Sequence, residues 1–428
     1  MPFYIASFIA GILAVLYARL FAAAEHLSFS LLEDRLWLIW LLAPVCFVVA
    51  SLLVSKFAPY SRGSGIPQVM AAIDLTNTRN KTAVSKLLGI RIILIKVLSS
   101  IVLIFGGGAI GREGPTIQIS ASVFYIINRW IPASWPKIKL QNMIMTGAAA
   151  GLAAAFNTPL GGIVFAVEEL TKTHIRYFRT ALFSAVIIAG LTAQWLLGPY
   201  LYLGFPKVNN LSNYIIGAVV LVACFAGLAG AFFSKAILKL SALRMQFGKQ
   251  YTPVYWIILC ALVIAFVAYF INPVILGSGN EVMNPLLFSN DKSIEWYVPF
   301  LRMLGPIVTF SAGGAGGIFA PSLSAGATIG AFVADYFQLS ASDANLLILA
   351  GMVAFLTGVT RTPFTAAILV LEMTDRHSVI FYLMLAAMVA NLIALTIDRH
   401  SFYDHLKKQY QREVLADPVP ASSKAIDT

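Results

Sequence analysis

The stretch Gly106–Ser120, GGGAIGREGPTIQIS, follows directly on the apolar run IILIKVLSSIVLIF of residues 92–105. Arg112 and Glu113 therefore fall side by side at membrane depth, among five glycines and a proline. A charge at the bilayer centre costs about 2.5–3.5 kcal/mol on insertion scales, so a carboxylate kept there reads as a functional group. The glycines and Pro115 break the apolar pattern instead of extending it. A broken helix at that depth is tolerated only where it lines a cavity or is buried in protein.

The rest of the chain agrees with a membrane setting. Of its 428 residues, 59% are hydrophobic and 11% charged, with a mean hydropathy of +0.81. Soluble domains carry about 25% charged residues. The expectation is an all-α polytopic membrane protein. The net charge is +11. Its denser basic clusters, at 79–91 and 398–412, flank apolar spans, as cytoplasmic loops do, and give no nucleic-acid surface. Cys46, Cys224 and Cys260 lie inside apolar runs without metal-ligand spacing, and no metal is expected. The histidines, 26, 174, 377, 400 and 405, lie near span ends and show no ligand spacing either. The N-terminus lacks a basic n-region and runs too long for a signal peptide, so it reads as the first membrane helix.

Apolar spans long enough to cross recur at 3–24, 36–57, 87–105, 180–198, 213–239, 254–276 and 377–397. Between them lie shorter pieces broken by Gly and Pro, at 116–128, 143–156, 159–170, 297–310, 321–337, 346–358 and 363–373. Several fall short of the roughly 20 residues that span a bilayer core. They also repeat. GGAIGREGPTI (107–117) aligns with GGAGGIFAPSL (313–323) at an offset of 206 residues. TGAAAGLAAAFNTPLGGIVFAVEE (146–169) aligns with AGMVAFLTGVTRTPFTAAILVLEM (350–373) at an offset of 204. Corresponding Gly/Pro-interrupted segments in two halves point to a midplane site, where half-helix N-termini meet an anion. The repeat alone leaves open whether the halves are parallel or inverted.

Four stretches supply candidate groups. In GSGIP, Ser64 offers a hydroxyl, Gly63 and Gly65 let backbone N–H groups approach a ligand, and Ile66 and Pro67 suit a helix start. GREGP holds Gly111, Arg112, Glu113, Gly114 and Pro115. Its mate GGIFAP holds Gly316, Gly317, Ile318, Phe319, Ala320 and Pro321, with apolar residues where the first half has Arg112 and Glu113. The fourth is the Glu168–Glu169 pair. Glu168 aligns with Glu372, which suits a structural role such as satisfying a helix end. Glu169 aligns with Met373 and is the better functional candidate. Lys96, mid-span, either adds positive potential to an anion path or pairs with a buried carboxylate. GGGAIGRE lacks the Lys-Ser/Thr of a phosphate loop, and no nucleotide cofactor is expected.

Taken together, GSGIP, GREGP and GGIFAP, in that order and spacing, resemble the CLC family of chloride channels and chloride/proton exchangers, over nearly the whole chain. The resemblance implies an inverted-repeat fold of tilted and broken helices. The first repeat would cover 1–205 and the second 206–403, with a short cytoplasmic tail at 404–428 that leaves no room for the CBS domains of many relatives. It implies a homodimer in a bacterial inner membrane, with one pathway per subunit and chloride and protons as the transported partners. Ser64, the backbone of Ile318 and Phe319, and Tyr403 would bind chloride. Glu113 would be the gate, a chloride mimic that leaves the pathway on protonation. Glu169 would pass protons on the inner side, and Lys96 looks like the family's buried lysine. The residue after GSGIP is Gln68 where close relatives often have Glu, with little effect expected. Ser64 favours chloride over nitrate, since nitrate-preferring relatives carry Pro there. A passive chloride channel of the same fold is the alternative. Glu169 speaks against it, because channel branches usually carry an apolar residue there. A membrane enzyme using Glu113 and Glu169 as acid and base lacks any nucleophile or metal arrangement.

Overall fold

The computed structural model describes residues 2–76, 81–132, 138–170, 179–198, 201–246, 252–289 and 291–416. His174, the start of the basic cluster at 79–80 and the tail beyond 416 lie outside the described residues. The first half contains α1 (Pro2–Asp34), α2 (Ile39–Phe57), α3 (Ile66–Leu75), α4 (Val84–Leu87), α5 (Ile90–Phe105), α6 (Glu113–Trp130), α7 (Leu140–Phe156), α8 (Pro159–Phe165) and α9 (Arg179–Leu197). The second contains α10 (Ile215–Gln246), α11 (Thr252–Phe270), α12 (Asn280–Phe288), α13 (Val298–Ala312), α14 (Phe319–Tyr336), α15 (Ala341–Thr360), α16 (Pro363–Thr374) and α17 (Ile380–Ile397). One further helix, α18 (Phe402–Ala416), follows.

Apart from the one-turn α4, the two halves run in the same order of elements. The long α1 corresponds to α10, the short α3 to α12, and α6 and α14 have 18 residues each. Packing repeats too: α6 lies on α7 as α14 lies on α15, and α1 on α9 as α10 on α17. Small residues dominate these seams, as expected where lipid supplies no hydrophobic drive between helices.

Most of the spans read from the sequence form helices within a few residues of the expected bounds. Two differ. The span at 254–276 ends as a helix at Phe270, and Pro273–Ile275 forms a short 3-10 turn. The piece at 346–358 is no fragment but a complete 20-residue helix, α15, whose apolar window is wholly buried. The polar residues that seemed to end it are satisfied inside the protein. Ser340 caps the helix by accepting from Asp343 N, and Asp343 Oδ1 accepts from Ser212 N at 3.1 Å. Bound this way, they add about one helical turn that hydropathy conceals.

The outer helices α2 and α9 expose Leu41, Val45, Leu52, Ile187 and Leu191. Exposed Trp37, Trp130, Trp195 and Tyr214 sit at helix ends, the positions of interfacial aromatic belts. The short, Gly-started helices are shielded within this shell. It is a multi-span membrane architecture with its broken segments buried in protein.

Candidate anion pathway

Backbone bonds tie the three Gly-rich stretches into one place. Gly63 N donates to Gly314 O at 2.8 Å, and Gly316 N donates to Gly63 O at 3.1 Å. Gly111 and Gly317 exchange N–H···O bonds of 2.8 and 2.7 Å in an antiparallel bridge. These two glycines are partners in the repeat, so the bridge lies on a pseudo-two-fold axis between the halves. The duplicated glutamates obey the same axis. Glu168 accepts from Phe364 N (3.2 Å) and Thr365 N (2.7 Å), the first turn of α16. Glu372 accepts from Leu160 N (3.0 Å) and Gly161 N (2.6 Å), the first turn of α8. Each carboxylate thus satisfies orphan N–H groups at the helix start of the other half.

The bridged loops aim three helix N-termini inward. Gly65, at φ 105°, makes the left-handed turn that starts α3 at Ile66, with Pro67 in its first turn. Arg112 precedes α6, which begins at Glu113 with Pro115 close behind, and Ile318 precedes α14, which begins at Phe319 with Pro321 close behind. Proline fits a first turn because its missing N–H would have had no intrahelical partner there. The remaining first-turn N–H groups and the dipole ends present partial positive charge.

Two hydroxyls face this concentration of donors. Ser64 and Tyr403 are neighbours whose hydroxyls face each other, buried to 1% and 0% exposure, and neither oxygen makes a well-formed hydrogen bond to the rest of the protein. Buried polar groups are nearly always bonded, and leaving one unmade costs about 1–3 kcal/mol. Two such hydroxyls beside helix N-termini make a buried seat whose donor chemistry suits an anion. The Tyr403 ring lies against Phe319, with centroids 6.3 Å apart and planes within 13°. Lys96 is fully buried and donates to Gly63 O at 2.8 Å, so its charge stands behind the Ser64 loop, and the bond it makes is to a carbonyl rather than to a carboxylate. Three residues along α5, Ser99 accepts from Ala315 N at 3.0 Å and fastens the second loop.

Glu113 sits at the rim of this seat, also buried. Its Oε1 accepts from the Tyr202 hydroxyl at 3.1 Å, while Oε2 has no partner. The amides of Glu113 itself and of Ala320 lie near the carboxylate. A carboxylate and a halide carry the same charge and want the same donors, so this side chain and a bound anion compete. Glu169 lies elsewhere, in a π-helical turn, Ala166–Leu170, that continues α8. Its Oε1 is buried without a partner, and Asp404 and Lys407 of α18 are its charged neighbours. Single π turns often mark functional sites. Here the turn sends consecutive glutamates to different tasks, Glu168 to a helix cap and Glu169 to an unbonded buried position.

Sequence reading missed two contributors. Tyr202 comes from the link between the halves, where no periodicity or motif singles it out. Tyr202 packs edge-on against Phe156 at 5.0 Å, and Phe156 lies 6.2 Å from Phe319, so aromatic rings run from Glu113 to Tyr403. Gln68, expected to matter little, donates through Nε2 to Arg62 O at 2.6 Å and Tyr60 O at 3.2 Å, and so holds the turn before Ser64. A glutamate would put charge against two carbonyls. Gln68→Glu is expected to lower the thermal midpoint and weaken anion binding measured by calorimetry. The lost donor corresponds to about 1–3 kcal/mol; unchanged values in both would refute this role for Gln68.

Known proteins share this organisation. The chain is 27% identical over 440 residues to the H(+)/Cl(-) exchange transporter ClcA of Citrobacter koseri, covering 98% of this chain and 90% of that protein. It is 26% identical over 412 residues to ClcA of Klebsiella pneumoniae, covering 92% and 83%. The fold superposes on a slow cyanobacterial Cl-/H+ antiporter with a TM-score of 0.81 at 22% identity, over 96% of this chain and 97% of that one. A CLC-type fluoride/proton antiporter gives 0.77 at 21% identity, over 94% and 95%. Residues 46–395 match the sequence profile described as voltage gated chloride channel, and the chain belongs to that family.

Proposed function

We propose that the protein is a secondary active transporter that exchanges chloride for protons. The observation that carries this reading is the unsatisfied pair of buried hydroxyls, Ser64 and Tyr403, beside helix N-termini with the Glu113 carboxylate at the rim. Chloride would lie between those hydroxyls and the first amides of α14, at Ile318 and Phe319. With Glu113 ionised, its carboxylate occupies the donors and blocks the path. On protonation it loses its attraction to them and leaves, and chloride takes its place. The bound proton and the moving chloride are thereby coupled.

Glu169 is the second proton station. Its partnerless oxygen can accept a proton without first breaking a structural bond, unlike Glu168, whose two oxygens hold α16. This favours exchange over a passive channel. The exchange named for the ClcA relatives supports the same reading. We further assign a homodimer with one pathway per subunit, repeats at 1–205 and 206–403, a bacterial inner membrane, and a cytoplasmic C-terminus next to the basic residues of α18.

Purified protein in liposomes under a chloride gradient, with potassium and valinomycin setting the voltage, tests the proposal. Protons are expected to move uphill against their own gradient. Glu169→Gln is expected to stop that movement while chloride still passes. Chloride flux with no proton movement in the unmodified protein would overturn exchange and leave a channel.

A further inference from the structure

Asp398, His400 and His405 are far from any metal motif in sequence, yet the turn between α17 and α18 gathers them. Their ligand atoms all lie within 4.8 Å of one another. His405 Nε2 is 3.0 Å from Asp398 Oδ2, and His400 Nδ1 is 4.0 Å from Asp398 Oδ1. The imidazole centroids are 5.6 Å apart. Ligands about 2.0–2.1 Å from a tetrahedral zinc ion stand about 3.3 Å from each other. The observed separations bracket that value, so a small closure of the turn would complete the geometry.

We propose that this turn binds a zinc-type divalent transition metal, and that the bound ion slows transport by clamping the start of α18. Two imidazoles and one carboxylate suit Zn²⁺ or Ni²⁺, whereas Mg²⁺ and Ca²⁺ want all-oxygen sets. Three protein ligands leave the fourth position to water. The site is reachable, since the His400 and His405 side chains are 53% and 37% exposed. It is also partly organised. Asp398 O accepts from Arg361 Nε at 3.3 Å, Asp398 Oδ1 accepts from His400 N at 2.9 Å, and Lys235 Nζ donates to Ile397 O at 2.9 Å. Arg361 and Lys235 also place positive charge near the turn, which weakens affinity for any dication.

The link to transport is covalent proximity. Ser401 caps α18 by accepting from Asp404 N at 3.0 Å, and Phe402 and Tyr403 follow at once. Drawing His400 onto Asp398 pulls the segment that leads into Tyr403. The effect on flux rests on the role proposed above for Tyr403; the binding does not.

The test pairs calorimetry with liposome flux, using Zn²⁺ as the probe. One ion per subunit is expected to bind, with affinity falling at least about tenfold in His400→Gln and in His405→Gln. His377→Gln, which removes the unrelated pair with Asp375, is expected to bind as the unmodified protein does. Zn²⁺ is expected to slow chloride flux in the unmodified protein and in His377→Gln, and to leave flux in the two other variants unchanged. Absence of binding, or binding indifferent to both substitutions, overturns the site. Binding without slowing overturns the clamp. If no chloride flux exists even without metal, the transport reading fails, while calorimetry still decides the site.

Discussion

Glu113→Gln is expected to abolish proton movement while chloride continues to run down its gradient. The amide keeps the size of the side chain and can still accept from Tyr202, so the fold should survive. It carries neither a titratable proton nor a negative charge. Two like charges 4 Å apart repel by about 1 kcal/mol in water and about 4 kcal/mol at an effective dielectric near 20. Removing one of them from the rim of the anion seat is therefore expected to tighten chloride binding by about tenfold or more. The pH dependence gives a sharper check. In the unmodified protein, acid protonates Glu113 and frees the donors, so chloride affinity should rise as pH falls. In Glu113→Gln that slope should vanish. Chloride titrations by calorimetry across pH, with proton flux in liposomes, would show both. A surviving pH slope with intact coupling would remove Glu113 from the gate and point to another titrating group.

The membrane class, the duplication and the three Gly-rich loops that backbone bonds bring together were legible in the sequence because each rests on residue types with few alternative uses. Glycine and proline at membrane depth, in register across two halves, have no role in a simple helix bundle. Glu168 is duplicated and Glu169 is not, and the reciprocal caps on α8 and α16 give the physical reason for keeping one glutamate in both halves. The legibility failed where polar groups find partners across the chain. Asp343 is bonded from Ser212, 131 residues away, and so sits buried within a helix that hydropathy cut short. Tyr202 reaches Glu113 across 89 residues, and nothing local announces it.

One further repeat signal lay in plain view. GSGNE at 277–281 is the counterpart of GSGIP at 63–67. Gly65 and Gly279 adopt the same left-handed conformation, at φ 105° and 102°, and start α3 and α12. The second copy has a different fate. Ser278 N donates to Glu25 Oε1 at 2.6 Å, and the buried guanidinium of Arg302 bonds to the carbonyls of Val274, Leu276 and Gly277. A carboxylate of the protein itself thus bonds the backbone N–H of Ser278, whose hydroxyl is buried like that of Ser64. The same turn is held by a carboxylate and a guanidinium in this half, and by Lys96 and the Gly314 and Gly316 backbone in the other. The difference lies in side chains from α1 and α13, which the five-residue motif does not contain.

The packing around Ser64 is tight, and Gly114→Ala is expected to disable it. A methyl group on Gly114 would collide with Ser64 Oγ and lie 2.8 Å from the Ser64 carbonyl oxygen. The hydroxyl can escape only by turning away from the seat, and the carbonyl cannot step aside. The Ser64 loop is pinned by Lys96 through Gly63 O and by the bonds of Gly63 to Gly314 and Gly316, while α6 is pinned by the Gly111–Gly317 bridge. Overpacking a fixed site costs about 1–3 kcal/mol. If that strain falls on the seat, it corresponds to a loss of about five- to 150-fold in chloride affinity. Gly217→Ala on α10 is the matched control, because a methyl there meets nothing within 4 Å and alanine is the better helix former. The control is expected to bind chloride normally and to melt no lower than the unmodified protein. Gly114→Ala is expected to bind weakly and to carry little chloride, in liposomes as in calorimetry. Normal affinity in Gly114→Ala would mean that Ser64 does not touch the anion, and the seat would then have to be built from Tyr403 and the α14 amides alone.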